Sequence, residues 1–212
     1  MSVLVDVTLG VSLELGCCRD VDDSLYLQMS GGKYGECAVL PIPDSLEDWR
    51  SAHKTARKRA DRAYGRGYVA ATLERERFAD DIYAINISAS HRQGRPMAGG
   101  YLHHTEFSPL PIYPCSRHAV RTTGVWAPDG HVVAYLVMLR QGDLALVSQI
   151  LGHAAHLDRE VMWLLFEQAL RREIMADADG VVVYNRHDSG TDGLRWWKER
   201  VGFREARVEW LP

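Results

Sequence analysis

The sequence predicts one mixed α/β domain in which a twisted, mostly antiparallel sheet is flanked by helices. Three observations predict it. Residues 121–151 hold three apolar β-rich runs separated only by tight turns, residues 159–176 repeat apolar side chains at helical spacing, and a β-branched run, Val181 to Val183, follows that helix directly. A chain of 212 residues that is 46% apolar can bury one substantial core, so one domain over 1–212 is expected, with strands and turns in 1–45 and the main body in 46–212.

In chain order, residues 1–47 carry short apolar stretches, 3–7, 11–15 and 25–27, cut by Gly and Asp, the pattern of small strands and turns. From 46 to 64 the composition turns to Ala, Arg and Lys without Gly or Pro. This reads as a basic helix, capped by Asp44 or Ser45 and ended by Gly65 and Gly67. A second helix is expected over 74–87, then a Gly- and Pro-bearing loop at 90–97 that disfavours regular structure, then a Pro-rich loop at 109–114.

The next strands fall at 121–126, 131–139 and 144–151, joined by APDG at 127–130 and QGD at 141–143, hence an antiparallel meander. Asp158 is placed to cap the helix at 159–176. The buried strand at 180–185 should run parallel to the strand before that helix, since a helical crossover connects them. A short helix at 192–201, stopped by Gly202, and a strand from 203 to 210 complete the chain.

Composition limits the function. The formal net charge is -3, so the molecule as a whole does not attract nucleic acid, and any polyanion must meet a local patch. Cys17, Cys18, Cys37 and Cys115 lack zinc-site spacing and the density of a disulfide-stapled domain, which suits reduced thiols in a cytoplasm. The N-terminus carries Asp6 and no basic leader, and no apolar run approaches the roughly 20 residues of a membrane span.

A local basic patch does exist. Lys54, Arg57, Lys58, Arg59, Arg62 and Arg66 recur three to four residues apart, so subsets share one helical face, where Lys54, Arg57, Lys58 and Arg62 can contact phosphates of tRNA or another nucleic acid. In HRQGRPM at 91–97, Arg92 and Arg95 flank Gly94, which lets the backbone approach a ligand. Arg suits bidentate binding of phosphate or carboxylate, and Gln93 lies between the two. Tyr101, His103, His104 and Glu106 offer acid/base groups, but neighbouring His residues on a strand point to opposite faces, so no metal is expected there.

The order of elements from residue 46 onward, ending in LRWWKERVGF at 194–203, resembles the GCN5-related acyltransferase (GNAT) fold. Trp49 with its basic helix, Phe78, DIYAIN at 81–86 and RQGR at 92–95 resemble the start of the transferase domain in FemX-like proteins. That group and the leucyl/phenylalanyl-tRNA-protein transferases move an aminoacyl group from aminoacyl-tRNA to an amine. The single-domain Mom protein, a phage DNA-modifying acyltransferase, is a second resemblance, and it implies a nucleic-acid base as the acceptor. A non-catalytic RNA-binding module of the same fold is a further alternative.

The resemblance implies acyl transfer to an amine by direct attack, with the donor as substrate and no bound cofactor. Ordinary members hold the CoA pyrophosphate on a Gly-rich loop opening the long helix. Here that stretch reads HAAHLDREVM at 153–162, and Asp158 and Glu160 would repel a pyrophosphate, which favours aminoacyl-tRNA over acyl-CoA. Ser148 and His153 fall where the strands of the fold splay to admit the donor. An attacking amine must shed a proton, which makes Asp158 the candidate base and His153 or His156 its alternates. Tyr184 or Asn185, at the end of the buried strand, could hold the acyl carbonyl or protonate the leaving group. No Ser or Cys sits in a G-x-S-x-G setting, so a covalent intermediate is not expected.

Overall fold

The computed structural model describes residues 2–5, 11–14, 36–115, 117–176 and 180–211. Its centre is the expected meander: β7 (His118–Trp126), β8 (Val132–Gln141) and β9 (Leu144–Gly152), paired antiparallel in sequence order. Gly142, at φ +58, opens the two-residue turn between β8 and β9, as a turn matching the strand twist requires. Strand β7 begins earlier than its apolar run suggests, because His118 to Val120 extend the pairing to Leu139 to Gln141.

Strand β8 is buried on both faces. Ala134, Leu136 and Met138 enter one core and Tyr135 and Val137 the other, the period of two that a pleated strand imposes. Helices α1 (Leu46–Ala52), α2 (Lys54–Gly65) and α4 (Val161–Met175) supply the first core, where Trp49, Ala56, Ala60 and Ala63 meet Leu165 and Phe166. Helix α3 (Ala79–Ile87) covers the other face through Ile82 and Ile85. One buried ion cluster ties α4 to the sheet: Glu173, 1% exposed, takes both carboxylate oxygens to Arg121 at 2.9 Å and one to Arg140 at 3.1 Å.

Strand β10 (Val181–Arg186) lies parallel to β9, as the crossover helix demands. Gly180 makes the start possible, since at φ +124 a Cβ there would lie 1.9 Å from the Asp143 carbonyl oxygen. Strands β3 (Glu36–Pro41), β11 (Arg204–Leu211), β1 (Ser2–Val5) and β2 (Val11–Glu14) continue the sheet beyond β10, and β4 (Val69–Thr72) closes its other edge. The nine-stranded order is β2-β1-β11-β3-β10-β9-β8-β7-β4. The mixed α/β, mostly antiparallel architecture expected from the sequence is therefore the one observed. Of the three short N-terminal runs, that at 25–27 lies outside the described residues.

Four local expectations are corrected. The basic helix is two helices, because His53 at φ -111 and ψ 60 turns the chain between α1 and α2 while Trp49 buries its indole and donates Nε1–H to the Val201 carbonyl at 2.8 Å. The helix expected from 74 starts only at Ala79, as α3, after a turn from Glu74 to Arg77, and residues 69–72 before it form a strand. The loop at 90–97 is a hairpin of β5 (His91–Arg92) and β6 (Arg95–Pro96), turned by Gln93 at φ 53 and Gly94 at φ 75, the two positive φ values of a type I′ turn. The long helix begins at Val161 and not beside Asp158. A 3-10 turn spans Ala154–Arg159, and Glu160 at φ 68 separates the two, since a left-handed residue cannot continue a right-handed helix.

Candidate functional site

Strands β9 and β10 pair only from Val181↔Leu144 to Val183↔Leu146. Beyond that they diverge, and β9 keeps β8 as its neighbour as far as Gly152. The register shift between Val137↔Gln149 and Met138↔Val147 makes Ser148 the extra residue of a β-bulge, which bends β9 where the divergence begins. A cavity of about 410 Å³ fills the gap.

Its walls come from five places. Ile150, Leu151 and Gly152 form the β9 side and Tyr184 the β10 side; Leu157 of the 3-10 turn and Met162 of α4 form the crossover side; Leu194 and Trp197 come from α5 (Asp192–Val201); and the β5–β6 hairpin closes over with His91, Arg92 and Gln93. The missing side chain at Gly152 leaves room for this closure, because a Cβ there would stand 2.6 Å from Met162 Sδ and 2.8 Å from Leu157 Cδ2 and push both tips aside. The cavity is thus an apolar slot along one edge of β9, a shape that fits an extended chain laid beside a strand.

Tyr184 places a hydroxyl in this apolar setting. The residue is buried, and burial pushes its pKa up to about 12, so it is a neutral O–H donor at pH 7. Beneath its ring lies Lys198, fully buried, with Nζ 4.9 Å from the ring centre. Lys198 donates to the Arg186 carbonyl at 2.6 Å and Ser189 Oγ at 3.0 Å, which fixes the chain leaving β10. Sequence reasoning does not single out this lysine, because a Lys in an amphipathic helix reads as solvated.

Among the residues singled out from sequence, Arg92, Gln93 and Tyr184 come together here, while Ser148 stays at the bulge of β9, outside the lining. Arg92, however, is a strut: Nη1 donates to the Gly152 carbonyl at 2.9 Å, and Nη2 donates to the Ile85 carbonyl at 2.8 Å and to Ser88 Oγ at 2.9 Å. Arg95 stands exposed on the hairpin, with no ion pair among the described residues. Tyr101 packs against the core under α3, outside the cavity lining, and burial raises its hydroxyl pKa. Neighbouring His104 meets Asp80 through Nε2 at 2.7 Å.

Asp158 is not brought to the site. Its side chain is 73% exposed, it pairs with Arg159 at 3.5 Å, and it caps no helix. His153 directly follows Gly152, and burial, then His156 and Arg92, lower its pKa, which keeps the imidazole neutral. Its Nδ1 accepts the Ala155 N–H at 3.3 Å, and His156 Nδ1 meets the Tyr68 hydroxyl at 2.8 Å. Asn185 is exposed at φ 50 and turns its side-chain oxygen to its neighbour's N–H, Arg186, at 2.7 Å. On α2, Lys54 and Lys58 are exposed and Arg57 is half-buried, while Arg62 is drawn to Glu160 at 3.2 Å.

No protein-family model and no curated protein matches the chain. Solved structures match the fold. L-PGS from Bacillus licheniformis superposes with a TM-score of 0.51 at 13% identity, covering 88% of this chain and 64% of that one. A GCN5-related N-acetyltransferase from Kribbella flavida gives 0.48 at 12% identity, covering 84% and 56%. The C-terminal domain of a protein assigned as a lysylphosphatidylglycerol synthetase from Agrobacterium fabrum gives 0.48 at 12%, covering 82% and 59%. The chain spans between 56% and 64% of the length of these structures. At 13% identity or less, the likeness is one of fold alone.

Proposed function

We propose that the chain transfers an acyl group to an amine inside the cavity between β9 and β10, and that the donor is an aminoacyl-tRNA. The observation that carries acyl transfer is the divergence of two parallel-paired strands around an apolar slot with one neutral, buried Tyr hydroxyl. An acyl chain lies along the β9 edge, with its carbonyl toward Tyr184. The amine attacks that carbon directly, its nitrogen forming the new bond as the donor oxygen leaves. Tyr184 O–H stabilises the developing charge and protonates the leaving oxygen. The proton the amine loses returns to Tyr184, restoring the hydroxyl that protonated the leaving oxygen; the exposed Asp158 is set aside as base, and so is His153, whose one unprotonated ring nitrogen, Nδ1, already accepts the Ala155 N–H.

The donor is argued from α2 and the start of α4. The exposed Lys54 and Lys58 with Arg57 offer phosphate contacts on a helix face, and Glu160 stands where a Gly-rich loop would receive a pyrophosphate. The test is incubation of the protein with aminoacyl-tRNA or with acetyl-CoA, each with a panel of amines, followed by mass spectrometry of the products. Aminoacyl-amide formation is expected. Acetyl transfer alone would replace the donor, and product in neither arm would refute the reading.

A further inference from the structure

Trp197 stands in the wall of the acyl cavity, on α5, and is 8% exposed. Its indole Nε1 is buried and meets no hydrogen-bond partner among the described residues. Trp49, 2% exposed, shows the ordinary outcome for a buried indole, since its Nε1–H goes to the Val201 carbonyl at 2.8 Å. A buried N–H without an acceptor destabilises a fold, so native structures hold few of them and each calls for a reason.

Packing does not supply that reason. The indole is held by Phe166, Trp163 and Tyr184, with ring centres 5.4, 5.9 and 6.3 Å away, and a ring without an N–H would make contacts of the same kind. Arg92 Nε, in the same wall, also lacks a partner, but that guanidinium turns its Nη groups to the Gly152 and Ile85 carbonyls. Trp197 is set against Tyr184, the two ring planes at 89°.

The transfer chemistry asks for a donor that Tyr184 does not provide. As the amine nitrogen bonds to the acyl carbon, one electron pair of the C=O bond moves onto the carbonyl oxygen, and it returns when the bond to the donor oxygen breaks. Over the same interval Tyr184 gives its proton to the leaving oxygen and receives the amine's. A hydroxyl exchanging its proton is a poor fixed partner for the oxyanion. An indole N–H is a donor only, and it keeps its proton throughout.

We propose that Trp197 is a catalytic residue of this transfer, whose Nε1–H donates to the acyl carbonyl oxygen and stabilises the oxyanion while Tyr184 moves the proton. The nitrogen is shielded from water, so the carbonyl reaches it as the acyl chain parts the side chains of the wall, and the hydrogen bond is made in the bound state. The proposal rests on the acyl-transfer reading for its chemistry.

The probe is N-methylhexanamide, an unreactive amide with a carbonyl and an apolar chain, and hexylamine, which lacks the carbonyl, is its control. In protein with isotope-labelled tryptophan, proton–nitrogen NMR identifies the Trp197 indole signal by its loss in Trp197→Phe. Benzothienylalanine in place of Trp197 keeps both fused rings and exchanges the N–H for sulfur, so it serves should the Phe variant fail to fold. The amide is expected to move the indole proton downfield, the direction of a new hydrogen bond, and hexylamine to leave it in place. A signal that the amide does not move, or that both compounds move alike, overturns the proposal. In turnover, the benzothienylalanine protein is expected to lose about a hundredfold in kcat with KM little changed, a loss that ring packing alone would not cause. Transfer at the wild-type rate without the N–H refutes the role of Trp197 and leaves the function standing. A chain whose indole proton answers the amide, yet which forms no product with any donor, refutes the function and leaves Trp197 as the residue that holds a bound carbonyl.

Discussion

The ammonium of Lys198 sits 4.9 Å from the centre of the Tyr184 ring, inside the core, and its hydrogen bonds run to the chain that leaves β10. Burial is the main reason that its pKa falls to about 8 from an ordinary 10.5. Cys37, Asp188 and Arg195 lie within electrostatic reach, and Cys37 is itself pushed by burial from 9.0 up to about 11. The unfolded chain therefore holds the Lys198 proton where the folded one has lost it, between pH 8 and 10.5, and stability rises with pH through that window. Cys37 acts in the opposite sense between pH 9 and 11, since there the folded state keeps the proton. The two are separated between pH 8 and 9, where the unfolding free energy should climb by at most about 1.4 kcal/mol. Denaturant unfolding at pH 8 and 9 checks this, and Lys198→Met should abolish the climb; an equal climb in the variant would assign it elsewhere.

Tyr184→Phe keeps the ring over Lys198 and removes only the hydroxyl. The transfer rate is expected to fall about a hundredfold with substrate KM little changed, the signature of a group that acts in the transition state. A variant as fast as the wild type would remove Tyr184 from the chemistry.

Glu173 is a second buried charge, but one that is fully paired. Glu173→Ala removes the carboxylate that Arg121 holds through two hydrogen bonds, in the core beside Arg172, and should cost about 3 to 5 kcal/mol in a denaturant titration. A loss below about 1 kcal/mol would mean that water reaches Arg121 once the carboxylate is gone.

The meander and the β9–α4–β10 unit are legible in the sequence because each is local: APDG and QGD fix turns, and an unbroken Val181 to Val183 after a helix leaves only a parallel partner. The breaks at His53 and Glu160 are not legible, because distant partners set them, the Val201 carbonyl for Trp49 and three arginines for Glu160. Four-residue β4 is an edge strand without apolar alternation, and the β5–β6 turn puts Gln93 at a positive φ that no propensity marks. Of the site, Tyr184 and the 91–95 segment are legible as a strand end and an Arg-Gly loop. Asp158 misleads because a carboxylate before an apolar period reads as a cap, while the chain reaches α4 through a 3-10 turn that leaves it in solvent.

The two arginines of the hairpin should separate cleanly. Arg92→Ala removes three hydrogen bonds to the end of β9 and to α3, and should lower stability by about 1 to 3 kcal/mol. Arg95→Ala should leave the thermal transition in place and weaken only an anionic ligand, by a similar amount. Thermal melts with and without donor distinguish the two; equal destabilisation would show that Arg95 also holds the fold.

The last prediction concerns the outer face of α2, where the charges divide into two groups. Arg59, Arg62 and Arg66 are committed to Glu160, so substituting them alters an internal cluster as well as any nucleic-acid contact. Lys54 and Lys58 are exposed, and no hydrogen bond or ion pair joins them to other described residues, which makes them the clean probe. If this face meets the tRNA backbone, Lys54→Glu with Lys58→Glu should reduce tRNA affinity steeply while the melting transition stays within a few degrees of wild type. The plot of log affinity against log salt should become shallower by about one unit for each phosphate that the helix no longer neutralises. A merely solvated face gives neither change, because exposed charges without a partner contribute little. Aminoacylated tRNA, deacylated tRNA and duplex DNA are to be compared at one ionic strength. Preference for the aminoacylated form supports the proposed donor, preference for duplex DNA transfers the acceptor to a nucleic-acid base, and salt-independent indifference among the three rules out a nucleic-acid role for α2.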